Sequence, residues 1–315
     1  MPRLSIVIPV WGKLRDLEDT LLSVLENRPE DSEILVVLDE DYADPYDLKD
    51  EIRFLQTPLG TGLAAGVNLA IDASRGEIVH LLMCGARVRE GWCEPALARF
   101  DDPDVAAVAP VVLDLDDPGR MVAAGATFTP GGRMKFLGRG CAVAKASRYA
   151  RRVDAPHLAA GFFRRSSLDL VGQLPEEIGD RLAVMDLALT FCDLGFATVL
   201  EPQSEVLASA GIDLRTGHLR RSLDLERLFW RWSPQGGWLW ALACHSASVA
   251  GELLAGVFRL SLPAQLTGRF LGAFNVGAHR SNQQRIRQLL GRIDARAVAK
   301  PHYRMDNLRS ATTVR

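Results

Sequence analysis

Residues 78–92 read Ile-Val-His-Leu-Leu-Met-Cys-Gly-Ala-Arg-Val-Arg-Glu-Gly-Trp. The first six residues form a run that is apolar except for His80, which is typical of a strand covered on both faces of a sheet. The run stops at Cys84-Gly85, and the loop that follows ends at Gly91-Trp92. The stretch therefore predicts a central strand that delivers a loop to the carboxyl edge of a sheet, where ligands bind in open α/β sheets.

Strand-like and helix-like segments alternate on both sides of this stretch. Strands are predicted at 4–9, 33–38, 53–55, 78–83 and 105–113, and helices at 16–25, 62–74 and 92–100. Short connections between alternating strands and helices predict a doubly wound, mostly parallel α/β sheet.

The alternation stops after Asp114. Residues 118–152 are rich in glycine and basic side chains and predict an irregular hairpin or loop. Further along, the pattern predicts a return to the sheet at 158–164, a helix at 181–194, a late strand at 197–200 and a helix beginning near Pro263. We therefore expect an α/β domain over 1–211 and a helical, Trp- and Arg-rich extension over 212–315.

The composition is that of an ordinary globular protein, with 315 residues, 48% hydrophobic and 24% charged. A net charge of -2 gives no general attraction to nucleic acid, so no nucleic-acid partner is expected. Five scattered cysteines without C-x-x-C spacing predict reduced thiols and a cytoplasmic location. We expect neither a signal peptide nor a membrane-spanning helix.

An ordered set of short motifs resembles glycosyltransferase family 2, whose members have the GT-A fold. It includes Leu4-Ser-Ile-Val-Ile-Pro-Val, Glu33-Ile-Leu-Val-Val-Leu-Asp39, Arg75-Gly-Glu77, Gly91-Trp92 and Gly161-Phe-Phe-Arg-Arg165. The resemblance covers roughly residues 3–211. It implies a GT-A-like α/β fold and a nucleotide-diphosphate sugar of the UDP or dTDP type as partner. It also implies sugar transfer, usually with inversion and a divalent metal.

The same resemblance implies which residues would bind the nucleotide. Asp39, at the end of the second strand, would accept the imino N–H of uracil or thymine, or it is a solvated loop acid. Trp11 would stack on the base, or it is a packed loop aromatic. The full predicted nucleotide-binding set is Pro9, Val10, Trp11, Asp39, Gly62, Asn68 and Gly85.

Three chemically important positions of the family pattern carry no suitable group in this chain. The last acid of the metal motif falls on Gly85, the general base on Val184, and a late histidine near Ala208. Mg²⁺ and Mn²⁺ require oxygen ligands, so we expect a divergent member without the acidic metal motif, without a bound metal and without another cofactor. Asp186 lies about 200° around the helix from Val184 and cannot replace the base without a shift.

Three clusters offer alternatives to the missing groups. The acidic run at 114–117 has the spacing of a metal motif, although an ordinary turn is favoured. The side chains of Arg133, Lys135 and Arg139 would neutralise a diphosphate leaving group, or they belong to a solvated basic loop. Acids within 176–180 would act as a displaced base, or they cap the following helix.

Two functional hypotheses follow. The first is a glycosyltransferase-like protein that binds a nucleotide-diphosphate sugar with weakened or lost catalysis. The alternative is an active, metal-independent inverting glycosyltransferase that transfers a sugar to a glycan or lipid-linked acceptor. The aromatic and basic C-terminal part predicts peripheral contact with the inner membrane face, or else burial in the core or in a homo-oligomer.

Overall fold

The computed structural model describes residues 3–11, 14–209, 217–232, 237–258, 261–274 and 277–296. The first part alternates strands and helices as expected. The elements are β1 (Leu4–Pro9), α1 (Asp16–Glu26), β2 (Ser32–Leu38), β3 (Ile52–Gln56), α2 (Leu63–Ala73) and β4 (Ile78–Leu82).

The second part contains shorter strands and the connection back to the sheet. Its elements are β5 (Arg87–Val88), α3 (Glu94–Ala98), β6 (Val105–Asp114), β7 (Met121–Ala123), β8 (Ala126–Phe128), β9 (Met134–Phe136), β10 (Ala160–Arg164), α4 (Arg165–Val171), α5 (Asp180–Asp193) and β11 (Ala197–Ala208). Four further helices follow, α6 (His218–Trp232), α7 (Trp238–Phe258), α8 (Leu262–Ala273) and α9 (Ala278–Arg296).

The main sheet has the strand order β3-β2-β1-β4-β10-β6-β11-β5. The first four strands along this order run parallel, β10 is antiparallel to both of its neighbours, and β6 is again parallel to β11. Every residue of β1 and of β4 is buried, because helices cover both faces of the sheet. The mostly parallel α/β prediction is confirmed.

Two predicted elements have different limits in the structure, and proline explains both. The helix expected at 92–100 is the short α3, with Pro95 in its first turn, followed by a 3₁₀ turn at Arg99–Asp101. The late strand continues beyond Leu200 to Ala208, with a register shift between Glu201 and Glu205. Pro202 lies inside this irregularity, which is where a sheet tolerates a residue without an N–H.

The C-terminal helices pack on the α/β part. Leu225 and Leu228 of α6 share a buried cluster with Met185 of α5, and Ile286 and Leu289 of α9 lie in the cluster beneath the sheet. Within the described residues, no helix has both the length and the apolar character required to cross a membrane.

Candidate functional site

The carboxyl ends of β1, β2 and β4 meet at one edge of the sheet. The N–H of Val10 donates to the carbonyl of Val37 at 2.9 Å, and the N–H of Cys84 donates to the carbonyl of Pro9 at 3.3 Å. The structure thus brings Pro9, Val10 and the loop containing Gly85 together, next to the residue that follows β2. This is the edge at which open α/β sheets bind ligands.

Asp39 follows the last residue of β2 and is half-buried. Among the described residues, no hydrogen bond or ion pair engages its carboxylate, whereas the neighbouring backbone is held by the bond from the Thr57 N–H to the Leu38 carbonyl. The carboxylate of Asp39 therefore sits on a well-ordered strand end and has acceptor capacity to offer a ligand.

Trp11 packs against α2. A side chain at Gly66 would overlap the Trp11 ring, so the ring lies directly on the helix backbone. Trp11 also contacts the buried cluster beneath the sheet. This contact is the one described by the packed-aromatic alternative for Trp11, and a side chain at position 66 would have to displace the ring.

Gly62 and Asn68 hold α2 to the segment before α5. Asp180 accepts a hydrogen bond from the Ala64 N–H at 3.1 Å, and a Cβ at Gly62 would lie 3.2 Å from the same carboxylate. The side-chain amide of Asn68 donates to the Leu174 carbonyl and accepts from the Leu174 N–H, both at 2.9 Å. Both the nitrogen and the oxygen of the Asn68 amide are thus hydrogen-bonded within the protein, so this amide has a role in the fold.

The loop after β4 has a geometry that does not fit Mg²⁺ or Mn²⁺. Met83 is buried, and Gly85 has a φ of +90°, a conformation that strains any L side chain. Burial, and then the nearby Asp16 carboxylate, raise the pKa of Cys84 to about 12, so its sulfur is a thiol at neutral pH. The described residues contain no group of three or more His, Cys, Asp or Glu side chains able to hold a metal ion.

The raised pKa of Cys84 predicts that its thiol resists alkylation. Because the thiolate is the reactive form, iodoacetamide at pH 8 should label Cys84 slowly in the folded protein and rapidly in urea. Peptide mass spectrometry after timed labelling measures both rates. Equal rates in the folded and unfolded protein would contradict a half-buried, protonated thiol.

The positions expected to align with the general base and the late histidine are Val184 and Ala208. Val184 is buried in the cluster that also contains Met83. Ala208 is fully buried at the end of β11, one residue beyond the pair formed by Leu207 and Arg87 of β5. Val184 thus lies in the cluster on one face of the sheet and Ala208 in the cluster on the other, and neither side chain carries a polar group.

The carboxylate of Asp16 lies near the loop that follows β4. A Cβ at Gly85 would lie 3.9 Å from the Asp16 Oδ2, at the beginning of α1. No sequence pattern pointed to this approach. Asp16 is paired with the exposed Arg15 at 3.5 Å.

Asp186 does not face the sheet edge. It is 1% exposed, accepts a hydrogen bond from the Trp232 indole at 2.6 Å, and lies 2.9 Å from the Arg231 Nε. Burial raises the pKa of Asp186, and the neighbouring Arg231 counteracts this only in part. Asp186 therefore anchors α6 to α5, in agreement with its expected position on the opposite side of the helix from Val184.

Acids of the segments 114–117 and 176–180, considered above as metal ligands or as a displaced base, form hydrogen bonds and ion pairs within the fold. Glu177 forms an ion pair with Arg231 at 3.0 Å, and Asp180 caps α2 as described above. Asp114 accepts a hydrogen bond from the Asp116 N–H at 3.2 Å, which is the pattern of a local turn. These contacts match the structural alternatives for both acidic segments.

The three basic residues at 133, 135 and 139 differ in their surroundings. Arg133 is paired with Glu252 of α7 at 3.1 Å, while Lys135 and Arg139 are exposed. Arg133 and Lys135 line a pocket of about 180 Å³ together with Met134, Arg181, Leu182, Arg221, Asp224, Leu225 and Glu252. The pocket does not include Asp39, Trp11 or Gly85. It adjoins their edge of the sheet through the first turn of α5, where Asp180 contacts α2.

Comparison with known proteins gives the same classification as the fold. Residues 5–153 match Glycosyl transferase family 2. Polypeptide N-acetylgalactosaminyltransferase 12 of Mus musculus is 32% identical over 127 residues, which is 37% of this chain and 22% of that protein. The chain therefore matches only about a fifth of the length of that relative.

Two solved structures share the fold. The crystal structure of GalNAc-T7 with UDP, GalNAc and Mn²⁺ superimposes with a TM-score of 0.57 and 14% identity, over 74% of this chain and 48% of that one. Mannosyltransferase PcManGT from Pyrobaculum calidifontis, in complex with GDP-Man and Mn²⁺, gives a TM-score of 0.51 and 17% identity over 90% and 87%. The α/β unit thus has the GT-A-like fold, and the match of residues 5–153, just under half of the chain, supports its placement in glycosyltransferase family 2.

Proposed function

We propose that this protein binds a nucleotide-diphosphate sugar of the UDP or dTDP type at the carboxyl edge of its sheet, and that its sugar-transfer activity is weakened or lost. The observation that carries the proposal is the chemistry around the loop after β4. The family resemblance puts its acid, base and histidine at 85, 184 and 208, and these are Gly85 in a left-handed conformation, buried Val184 and buried Ala208.

The expected loss is large because two catalytic contributions are missing together. General base catalysis contributes about 10²- to 10⁴-fold to a rate. A divalent cation at the leaving diphosphate stabilises developing charge by several kcal/mol. Nucleotide binding does not depend fully on either the general base or the cation. Asp39, the acid proposed to recognise the nucleotide base, and the carboxyl end of β1 are both present at the expected places in the strand order.

The alternative of an active, metal-independent enzyme requires cations at the leaving diphosphate. Arg133 is ion-paired with Glu252 of α7, which argues against this use of its guanidinium. Lys135 and Arg139 are exposed. Lys135 lines the pocket next to the first turn of α5, and this turn lies between the pocket and the carboxyl edge of the sheet. We therefore favour binding with weakened catalysis.

Calorimetric titration with UDP, dTDP and GDP, each with and without Mn²⁺, tests the proposal, followed by a turnover assay with the matching nucleotide sugars. The expected result is uridine or thymidine diphosphate binding that is independent of Mn²⁺, with little or no turnover. Metal-dependent binding with rapid turnover would reject the loss of catalysis, and the absence of any nucleotide binding would reject the proposal as a whole.

Asp39→Ala should weaken nucleotide binding by about 10- to 100-fold, because a hydrogen bond to a charged group contributes about 1.5–3 kcal/mol. The matched control is Asp41→Ala, which removes an exposed acid two residues further along the same loop. Calorimetry should show unchanged affinity for the control. An Asp39→Ala variant that binds as tightly as the control would remove Asp39 from the site.

We further propose a cytoplasmic location and no nucleic-acid partner. The five cysteines all lie in the described residues and form no disulfide, as expected in a reducing compartment. The proposed division of the chain at residue 211 separates the nucleotide-sugar domain from helices that pack against it through α6 and α9.

A further inference from the structure

The connection between β9 and β10 contains a 3₁₀ helix over Val143–Arg152, called here the basic helix. Its first nine residues repeat one pattern three times, as Val-Ala-Lys, Ala-Ser-Arg and Tyr-Ala-Arg. A 3₁₀ helix has three residues per turn, so side chains at i and i+3 lie above one another. The repeat therefore divides the helix into three faces, and each face carries one kind of side chain.

The first face packs against the α/β part of the molecule. Ala146 is buried, and Val143 and Tyr149 pack against the same cluster, which includes Val111 of β6. The Tyr149 hydroxyl donates to the Cys141 Sγ at 3.7 Å. The apolar and aromatic side chains of the basic helix thus hold it on the sheet, and its other two faces are turned outward.

The second face is a row of cations. Lys145, Arg148 and Arg151 are exposed, with about 6 Å between successive residues along the helix axis. Within the part of the chain that the structure describes, no hydrogen bond or ion pair engages these three side chains or that of Arg152. The surrounding sequence contains no acid over residues 118–153. Like charges at this spacing repel one another, so an anionic partner would relieve an unfavourable arrangement.

The third face consists of short side chains, and it decides between kinds of anionic partner. Ala144, Ser147 and Ala150 are all exposed, so a chain lying beside the cations can approach the helix closely. Proteins that bind single-stranded nucleic acid add aromatic side chains on which bases stack, and helices that lie in a membrane interface add large apolar ones. The outward faces of the basic helix carry neither, so they suit a chain that is held by its charges.

The basic helix begins at the carboxyl edge of the sheet. The Val143 N–H donates to the Gly119 carbonyl at 3.0 Å, and the N–H of Asp114, at the end of β6, donates to the Arg120 carbonyl at 2.9 Å. Leu207 of β11 pairs with β6 on one side and with β5, in the loop after β4, on the other. A chain that follows the row of cations toward the first turn of the helix would therefore approach the edge where the nucleotide sugar is proposed to bind.

We propose that the basic helix binds an extended anionic glycan, with carboxylates of successive sugars opposite Lys145, Arg148 and Arg151. Guanidinium groups pair with carboxylates through two parallel hydrogen bonds. The spacing of the row is comparable to the length of one sugar unit in an extended polysaccharide. This inference rests on the proposed function, because a glycan beside a bound nucleotide sugar would be placed as its acceptor. The class of the second ligand is thus an acidic polysaccharide.

Affinity measurements with polygalacturonate, which carries a carboxylate on every sugar, test the proposal, and dextran serves as the uncharged polysaccharide. Wild-type protein should bind polygalacturonate at low salt, bind it more weakly at high salt, and not bind dextran. Joint replacement Lys145→Ala, Arg148→Ala and Arg151→Ala should weaken binding about tenfold or more, since three ion pairs are lost together. The same variant should bind UDP like the wild type.

The matched control is joint replacement Arg75→Ala, Arg280→Ala and Arg287→Ala, which removes three exposed charges before β4 and on α9. This control should bind polygalacturonate like the wild type. A control that loses as much affinity as the variant of the row, or a wild-type protein that does not bind polygalacturonate, would overturn the proposal.

A charge-preserving exchange tests the alignment of the cations. Ser147→Arg combined with Arg148→Ser moves the middle cation by about 120° around the helix and keeps the net charge. The affinity for polygalacturonate should fall about threefold, as expected when one exposed ion pair is lost. Unchanged affinity would mean that only the total charge matters, and would overturn the proposed row.

Two further probes distinguish other partners. Single-stranded DNA that binds through the row more tightly than polygalacturonate would assign the basic helix to nucleic acid and overturn the glycan. Flotation with phosphatidylglycerol vesicles, without polygalacturonate binding, would assign it to a membrane surface with the same consequence. Polygalacturonate binding without UDP binding would reject only the proposed function, and UDP binding without polygalacturonate binding would reject only this inference.

Discussion

Glu226→Ala should lower the free energy of unfolding by about 3–5 kcal/mol, as expected when one partner of a buried charge network is removed. Glu226 is 5% exposed on α6. Its carboxylate accepts hydrogen bonds from the Trp230 indole at 2.9 Å and from Arg269 at 2.8 Å, and lies 3.1 Å from the His245 Nε2. Removing the carboxylate leaves the buried Arg269 with Glu252 alone and leaves the His245 ring without its acceptor on this side.

The same network predicts how the effect depends on pH. Burial by itself would raise the pKa of Glu226, but hydrogen bonds from His245 and Arg269 outweigh burial and hold the pKa below its usual value of 4.5. A carboxyl whose pKa is lowered by folding contributes stability above its unfolded pKa and loses it as the pH falls through the folded pKa. The difference between wild type and variant should therefore be full at neutral pH and should shrink below about pH 4.5.

Urea denaturation followed by circular dichroism, at neutral pH and in a series of acidic buffers, measures both effects. The matched control is Glu26→Ala, which removes an exposed glutamate at the end of α1 that has no partner among the described residues. The control should change stability by less than about 0.5 kcal/mol. A Glu226→Ala variant as stable as this control would mean that the network does not hold α6, α7 and α8 together.

The second large effect is expected at Gly268, where alanine should destabilise the protein by about 1–3 kcal/mol. Gly268 packs α8 directly on α6. A Cβ there would overlap the carbonyl oxygen of Leu219 and would lie 3.0 Å from the Ser222 Cβ. The overlap is with backbone, so it cannot be relieved by rotating a side chain, and the two helices would have to move apart.

The matched control is Gly251→Ala in α7, because a Cβ at Gly251 would meet nothing within 4 Å. Alanine has a better helix propensity than glycine, so this change should stabilise the protein by about 0.5–1 kcal/mol. Two glycine-to-alanine changes in neighbouring helices should thus have opposite signs in the same denaturation experiment. If Gly268→Ala stabilises the protein as Gly251→Ala does, the close packing of α8 on α6 is wrong.

Much of the fold could be predicted from local patterns. Runs such as 4–9 and 78–82 are apolar at all but one position, Ser5 and His80, and such continuous runs are typical of strands buried on both faces of a parallel sheet. The spacing of the motifs also identified the residues beside the sheet edge, including Asp39 and Gly85. The errors occurred where a proline alters a pattern, as at Pro95 and Pro202, since one residue there decides how a helix or strand begins or continues.

The sequence by itself determined the alternating α/β order, the family resemblance and the absence of an acid at 85 and 184, because each depends on residues close together in the chain or on their order. Only the tertiary structure decided that Asp180 caps a helix 116 residues away, that Asn68 is engaged by Leu174, and that cations from β9, α5 and α6 form one pocket. Such contacts depend on how complete helices pack, and many sequences with the same periodicity could place those side chains elsewhere. The direction of the charged side chains of α7 and α8 is of the same kind. Sequence shows that α7 and α8 contain Glu252 and Arg269, and packing decides that both point inward.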